Sequence, residues 1–198
     1  MKAQISVITG DLVNSQQGDT ASYITYLDNL LAKLQQAKCL RQYDIFRGDS
    51  FQIVSKPDQG LFLAIYIRIA LRAADAARWD ARLGIGLGTQ QAKSTGYGSA
   101  FLNSGNALDG MAKNCYLALK TDKQKINSIV SDLLPMLDHV VGQLSQTEAN
   151  IVQTRMFTDT NKDVATVLQK ATSTISATLK RAAFEEIMLF IKAINRMT

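Results

Sequence analysis

Histidine, cysteine and proline are scarce in this chain: its 198 residues include one, two and two of them, respectively. The sole histidine, His139, falls outside residues 1–120, so no Ser/His/Asp or Cys/His nucleophile set can be assembled within that stretch. Cys39 and Cys115 stand far apart with no CxxC spacing, which argues against a disulfide framework and against a zinc site. Both thiols are expected to be small core residues, and His139 a helix-surface residue. Linkers are also lacking. Two prolines, twelve glycines and no Ser/Gly-rich or charge-rich stretch leave a helix as the connection to any second domain.

Long apolar runs free of charge are absent as well. The most apolar stretch, LFLAIYIRIALRAADAARW, carries Arg68, Arg72, Asp75 and Arg78, which rules against a membrane span and for a helix packed on a sheet. The opening MKAQISVITGDLVNS is neither a signal peptide nor a span, so a cytoplasmic protein is expected. The charge excess is small, at +5 overall. Residues 1–120 hold 13 basic and 9 acidic side chains, against 9 and 8 in the remainder. That balance favours phosphate contacts in general without requiring a nucleic acid.

What is present is an alternation of strands and helices. Ile5, Val7 and Ile8 form a buried strand that delivers Asp11 to its C-terminal end. Ile24, Leu27, Leu30, Leu31 and Leu34 recur as one helical face, with Asp19 or Thr20 as its cap. The segment YDIFRGDSFQIVSK suits a hairpin turning at Gly48 and Asp49, and ARLGIGLGT a strand whose glycines admit close backbone packing. Residues 98–113 read as a helix burying Phe101, Leu108 and Met111, and CYLAL as a closing strand. The order β, α, hairpin, α, β, α, β predicts an α/β (α+β) domain whose mixed sheet owes its antiparallel strands to the hairpin. Tyr23, Tyr26, Tyr43, Tyr66 and Trp79 are expected in the core or at interfaces.

Beyond residue 120 the pattern is purely helical. Ile126, Ile129, Val130, Leu133, Leu134, Leu137 and Val141 mark a connecting helix over 121–143. Ser145 and Glu148 have capping-box spacing. Three helices are predicted over 145–157, 161–169 and 172–195, with Thr160 and Thr172 as caps and Ala165, Leu168, Ile175 and Leu179 sharing a core. Three helices suffice for a helix-turn-helix domain over 144–198. On its exposed side Ser173, Thr174, Ser176 and Ala177 would face bases, and Lys180 and Arg181 phosphates. A packing or dimerisation module is the competing reading, favoured by Gln169 at the turn and by Glu185 and Glu186.

Two aspartates at adjacent strand ends repel unless a cation lies between them, and Mg²⁺ with nucleotide phosphates is the usual solution. Here the motifs resemble those of class III nucleotide cyclases. Asp11 to Ser15 (DLVNS) is similar to the family's D-[IL]-V-[GN]-[ST] strand end, Gly48 to Phe51 (GDSF) to its hairpin G-D-x-F, and Arg82 to Gly88 (RLGIGLG) to its R-x-G-[IL]-x-x-G strand. The resemblance implies a ferredoxin-type mixed sheet with flanking helices and homodimerisation. It also implies Mg²⁺ or Mn²⁺ on Asp11, Asp49 and the carbonyl of Leu12, with Val13, Asn14, Ser15, Arg47 and Gly48 around a nucleotide. Two positions depart from the pattern. Ile45 replaces the base-reading lysine, and residues 98–111 offer Asn103 and Asn106 but no arginine for the transition state, leaving Arg47 or Arg82 to substitute. Through TGDLVNS, RGDSF, the helix start GSAF and the tail, the whole chain resembles the SatD family, and DVATVLQKATSTISATLKRA resembles helix-turn-helix segments of bacterial regulators. A regulatory protein binding metal or nucleotide and DNA or a partner is the leading expectation. A nucleotidyl cyclase or transferase and a non-catalytic scaffold are the alternatives.

Overall fold

The structure is a computed structural model that describes residues 3–13, 20–46, 49–74, 79–91 and 97–198. The expectations placed on Asn14, Ser15, Asp19, Arg47, Gly48, Asp75 and Arg78 fall outside the described residues. The elements run β1 (Ala3–Val13), α1 (Thr20–Gln36), β2 (Gln42–Phe46), β3 (Ser50–Ser55), α2 (Gly60–Ala74), β4 (Asp80–Gln90), α3 (Ser99–Asp109) and β5 (Leu117–Lys120). Helices α4 (Gln124–Gln143), α5 (Gln146–Arg155), α6 (Asn161–Leu168), α7 (Thr172–Arg181) and α8 (Phe184–Met197) follow.

The strands form one sheet in the order β2-β3-β1-β4-β5. Its first four strands, with α1 and α2, follow the ferredoxin-type β-α-β-β-α-β path. The sheet is mixed for a different reason from the expected one. β1 is antiparallel to both β3 and β4, and the parallel pair is β4 with β5, so the added α3 and β5 mix the sheet rather than the hairpin.

Strand alternation divides the two faces. Ile8 and Leu12 of β1 join Leu83, Ile85 and Leu87 of β4 on the face covered by α1 and α2. Helix α2 is apolar almost all round, and Leu61, Leu63, Ile65, Ile67, Ile69 and Leu71 are all buried on it. Each such side chain contributes about 2 kcal/mol on leaving water. This apolar cluster continues without a break from the sheet into Ile151, Ile175, Phe184 and Ile191 of the C-terminal helices.

The other face is covered by α3, and here the expected buried side was misassigned. Ala100, Ser104 and Ala107 are buried, whereas Phe101, Leu108 and Met111 are half-buried flankers. The cause lies in β4. A Cβ on Gly86 would overlap the Ala100 carbonyl and the backbone of Ser104, so helix and strand touch backbone to backbone and only small residues fit between them.

Other boundaries moved for local reasons. β5 starts at Leu117 rather than at Cys115, and both thiols are free and half-buried rather than core. His139 is exposed on α4, as expected. The expected capping box of Ser145 and Glu148 forms at α5, and Thr160 caps α6 as expected, there in a second box with Asp163. Thr172, however, is the first helical residue of α7, whose N-cap Ala171 supplies no side-chain bond. The third predicted helix of the tail is two helices, broken where Ala183 takes a left-handed φ of 52°. No helix among the described residues is long and apolar enough to cross a membrane.

Candidate functional site

The Gly10-Asp11 pair separates two jobs onto two faces of β1. A Cβ at Gly10 would run into Leu83 and Phe51, so the core side of the strand demands glycine there. Asp11 points the opposite way by alternation, on the α3 side, where it is half-buried. It stands in register with Ser50 of β3 and Arg82 of β4. Directly below it lies a polar layer in which Thr9 Oγ1 and Ser104 Oγ are 2.9 Å apart and Gln52 Nε2 donates to Thr9 Oγ1 at 3.2 Å.

Asp49 lies in the turn between β2 and β3 and leads directly into β3. Its carbonyl accepts the Leu12 N–H at 2.9 Å, so the backbone holds the two aspartate-bearing segments side by side at one end of the sheet. Asp49 is half-buried too. Among the described residues no group of three or more His, Cys, Asp or Glu side chains could hold a metal ion. This end of the sheet brings together two carboxylate-bearing segments and their backbone carbonyls. That small set suits Mg²⁺, which keeps several waters and takes one or two carboxylates together with ligand phosphates.

Of the side chains expected to stabilise charge, Arg82 is occupied and Asn103 is distant. Arg82 donates through Nη2 to the carbonyls of Met111 and Ala112, at 2.9 and 3.3 Å, and through Nε to that of Cys115 at 3.3 Å. It thereby ties down the chain between α3 and β5, and among the described residues no ion pair joins it to Asp11. Asn103 lies toward the other end of the sheet, where Nδ2 donates to the Leu87 carbonyl and to Asp122, both at 2.9 Å. Asn106 is exposed, and its carbonyl accepts from Lys120.

Sequence reasoning missed a buried charge network beside this sheet end. Arg68 is fully buried and grips Asp80 with two bonds, Nε to Oδ1 at 2.8 Å and Nη2 to Oδ2 at 2.9 Å. Its Nη1 donates to Asp138 Oδ1 at 2.5 Å, and the guanidinium lies over the Tyr116 ring, 4.9 Å from the centroid. Asp138 Oδ2 accepts the Tyr116 N–H at 2.6 Å. Arg72, also buried, reaches Asp80 Oδ2 at 3.2 Å and the carbonyls of Gly142 and Leu144. Burial alone would pull the Arg68 guanidinium down, but the bonds and charges of Asp80 and Asp138 outweigh it and raise its pKa. Burial likewise pushes the Tyr23 hydroxyl up, while it donates to the Asp80 carbonyl and its ring stacks on Trp79. One signal was available: arginines four apart inside an otherwise apolar helix must find partners.

This network meets the aspartate pair through the strand register, because Asp80 pairs with Val13 two residues beyond Asp11. An open cleft of about 550 Å³ lies over it, lined among others by Val13, Arg72, Asp138 and His139.

The candidate DNA-contacting residues Ser173, Thr174, Ser176, Ala177, Lys180 and Arg181 are all exposed on α7, whose inner side buries Ile175, Thr178 and Leu179. Two of them already have partners. Ser176 Oγ accepts from Asn161 at 3.1 Å, and Arg181 Nε lies 3.4 Å from Glu148. Lys180 shares a small hollow with Glu185 and Glu186.

No family model and no curated protein matches the sequence. Among solved structures, the chain is similar to the guanylyl cyclase Cya2, with 15% identity and a TM-score of 0.45 over 60% of this chain and 75% of that one.

Proposed function

We propose that this chain is a regulatory protein whose sheet end at Asp11 and Asp49 binds a divalent cation, Mg²⁺ or Mn²⁺, together with the phosphates of a nucleotide, and whose C-terminal helices dock on DNA or a partner as a homodimer. The Leu12 N–H bond to the Asp49 carbonyl carries the first part, since it keeps both carboxylate segments at one strand end. The two carboxylates and the Leu12 carbonyl would hold the cation, which would supply positive charge against the ligand's phosphates. Val13 to Ser15, Arg47 and Gly48 would meet the nucleotide. Arg82, engaged by three carbonyls, supports a reading of binding rather than turnover, because stabilising a developing oxyanion requires a donor aimed at it.

The route from ligand to helices would be the Arg68 network, which links the start of β4 beside Val13 to Asp138 and Gly142 on α4. Isothermal titration with nucleoside triphosphates and Mn²⁺ tests the reading: the wild-type chain is expected to release heat that Asp11→Asn abolishes. Equal heats from both chains, or none from either, would overturn it. For the helices, an electrophoretic shift of DNA that Lys180→Ala leaves unchanged would remove DNA as the docking partner.

A further inference from the structure

The outer edge of β5 is a second feature with unmet chemistry. Leu83 pairs with Leu117, and the Leu83 N–H donates to the Tyr116 carbonyl at 2.8 Å. In a parallel pair this register turns the Tyr116 carbonyl and the backbone groups of Ala118 toward β4, and the N–H and C=O groups of Leu117 and Leu119 outward. Among the described residues no hydrogen bond occupies those four outward groups. They line a slot of about 420 Å³ whose floor is β5. One wall is the end of α3, with Ala107, Gly110 and Met111, and the other is α4, with Asn127, Ser128 and Ser131.

We infer that this slot receives an extended segment of another protein, which adds a strand to β5 and alternates small apolar residues with acidic ones. Unpaired edge groups recognise an extended backbone, and the walls select alternate side chains. The α3 wall is small and apolar, which suits alanine- or valine-sized residues. The mouth at the α4 end is positive: Lys120 lines the slot, Lys123 and Lys125 are exposed beside it, and the first turn of α4 lacks a side-chain cap. Of the acids nearby, Asp122 is already bound by Ser99 and Asn103, while Asp109 and Asp132 are exposed next to the lining residues Gly110 and Ser131. A second copy of this chain is a poor occupant, because its own β5 is recessed between the same two helices. The walls would meet before the strands.

Fluorescence polarisation of the full chain with short labelled peptides tests this. The first peptide alternates valine with glutamate, the second replaces glutamate by lysine, and the third is the first with alternate backbone amides N-methylated. The acidic peptide is expected to bind, and the other two to bind about tenfold more weakly or worse, for loss of charge attraction and of ladder hydrogen bonds respectively. Reversing the exposed lysines with Lys123→Glu and Lys125→Glu should weaken the acidic peptide about tenfold while leaving the fold intact. Hydrogen exchange should slow at the Leu117 and Leu119 amides when the acidic peptide is added. Equal binding of the N-methylated peptide, equal binding of the lysine peptide, or no slowing at those amides would overturn the inference. So would a dimer in sedimentation that protects the same two amides without peptide.

Discussion

Two pairs of aspartates lie near one end of this sheet and are treated in opposite ways. Asp80 and Asp138 are buried, and arginines from α2 neutralise them, with Arg68 bonding both and Arg72 reinforcing Asp80. Asp11 and Asp49 are half-buried where the β1–β3 ladder ends, and among the described residues no ion pair joins Asp11 to an arginine or lysine. The difference separates structure from binding. Removing a charge from water is tolerable when bonds return what hydration gave, and Arg68 uses all three of its nitrogens to do so. The half-buried carboxylate of Asp11 keeps part of its hydration instead, and the proposed cation would meet it there.

The contrast can be broken most forcefully at its centre. Arg68→Met leaves Asp80 and Asp138 buried without their main partner and is expected to destabilise the chain by about 3–5 kcal/mol, read as a shift in the urea midpoint. Gly86→Ala attacks the face that carries Asp11 by pushing α3 off β4, and about 3 kcal/mol of stability should be lost in the same measurement.

A partly exposed carboxylate with a structural role stands between the two extremes. The hydroxyl and backbone N–H of Ser145, and then Arg181, hold the Glu148 carboxyl below its ordinary value of 4.5. A carboxyl lowered on folding adds stability that is present above its unfolded pKa and lost as pH falls through the folded one. Glu148→Ala should therefore cost about 1 kcal/mol near neutrality. The gap to the wild-type chain should narrow as urea melts are repeated below pH 4.5. Asp11→Asn is expected to have the smallest effect on stability, within about 0.5 kcal/mol by the same melts. Its effect should be on the binding of Mn²⁺ and nucleotide, and a large loss of stability would erase the distinction between the two pairs.

Local chemistry made much of this molecule legible. The buried stripe of α1, the hairpin around Asp49, the capping box at Ser145 and the cap at Thr160 follow from spacing within a few residues, and the structure has them where the spacing put them. The break between α7 and α8 was illegible. It falls at Ala182 and Ala183, and alanine is the strongest helix former, so propensity argued for continuation. Packing decided otherwise, since Ala182 and Phe184 on either side are both buried in the shared core. The inner side of α3 was misread for a related reason. Phe101, Leu108 and Met111 carry the hydrophobic signal, but the bare backbone of Gly84 and Gly86 brings the helix too close for them.

By itself the sequence determined which segments become strands and helices, where most helices begin, and that Asp11 lies near the C-terminal end of its strand and Asp49 between the hairpin strands. Those outcomes depend on turns, caps and periodicity, which are short-range. Only the tertiary structure decided the fate of the buried charges. Arg68 finds Asp138 across 70 residues of chain, and the cost of burying an ion depends on which counter-charge the fold delivers to it, a fact no local pattern contains. The same holds for the outer edge of β5, which has no strand partner among the described residues because the strand order placed it last. Of the candidate site, the carboxylates were written in the sequence, and the commitment of Arg82 to the carbonyls beyond α3 was not.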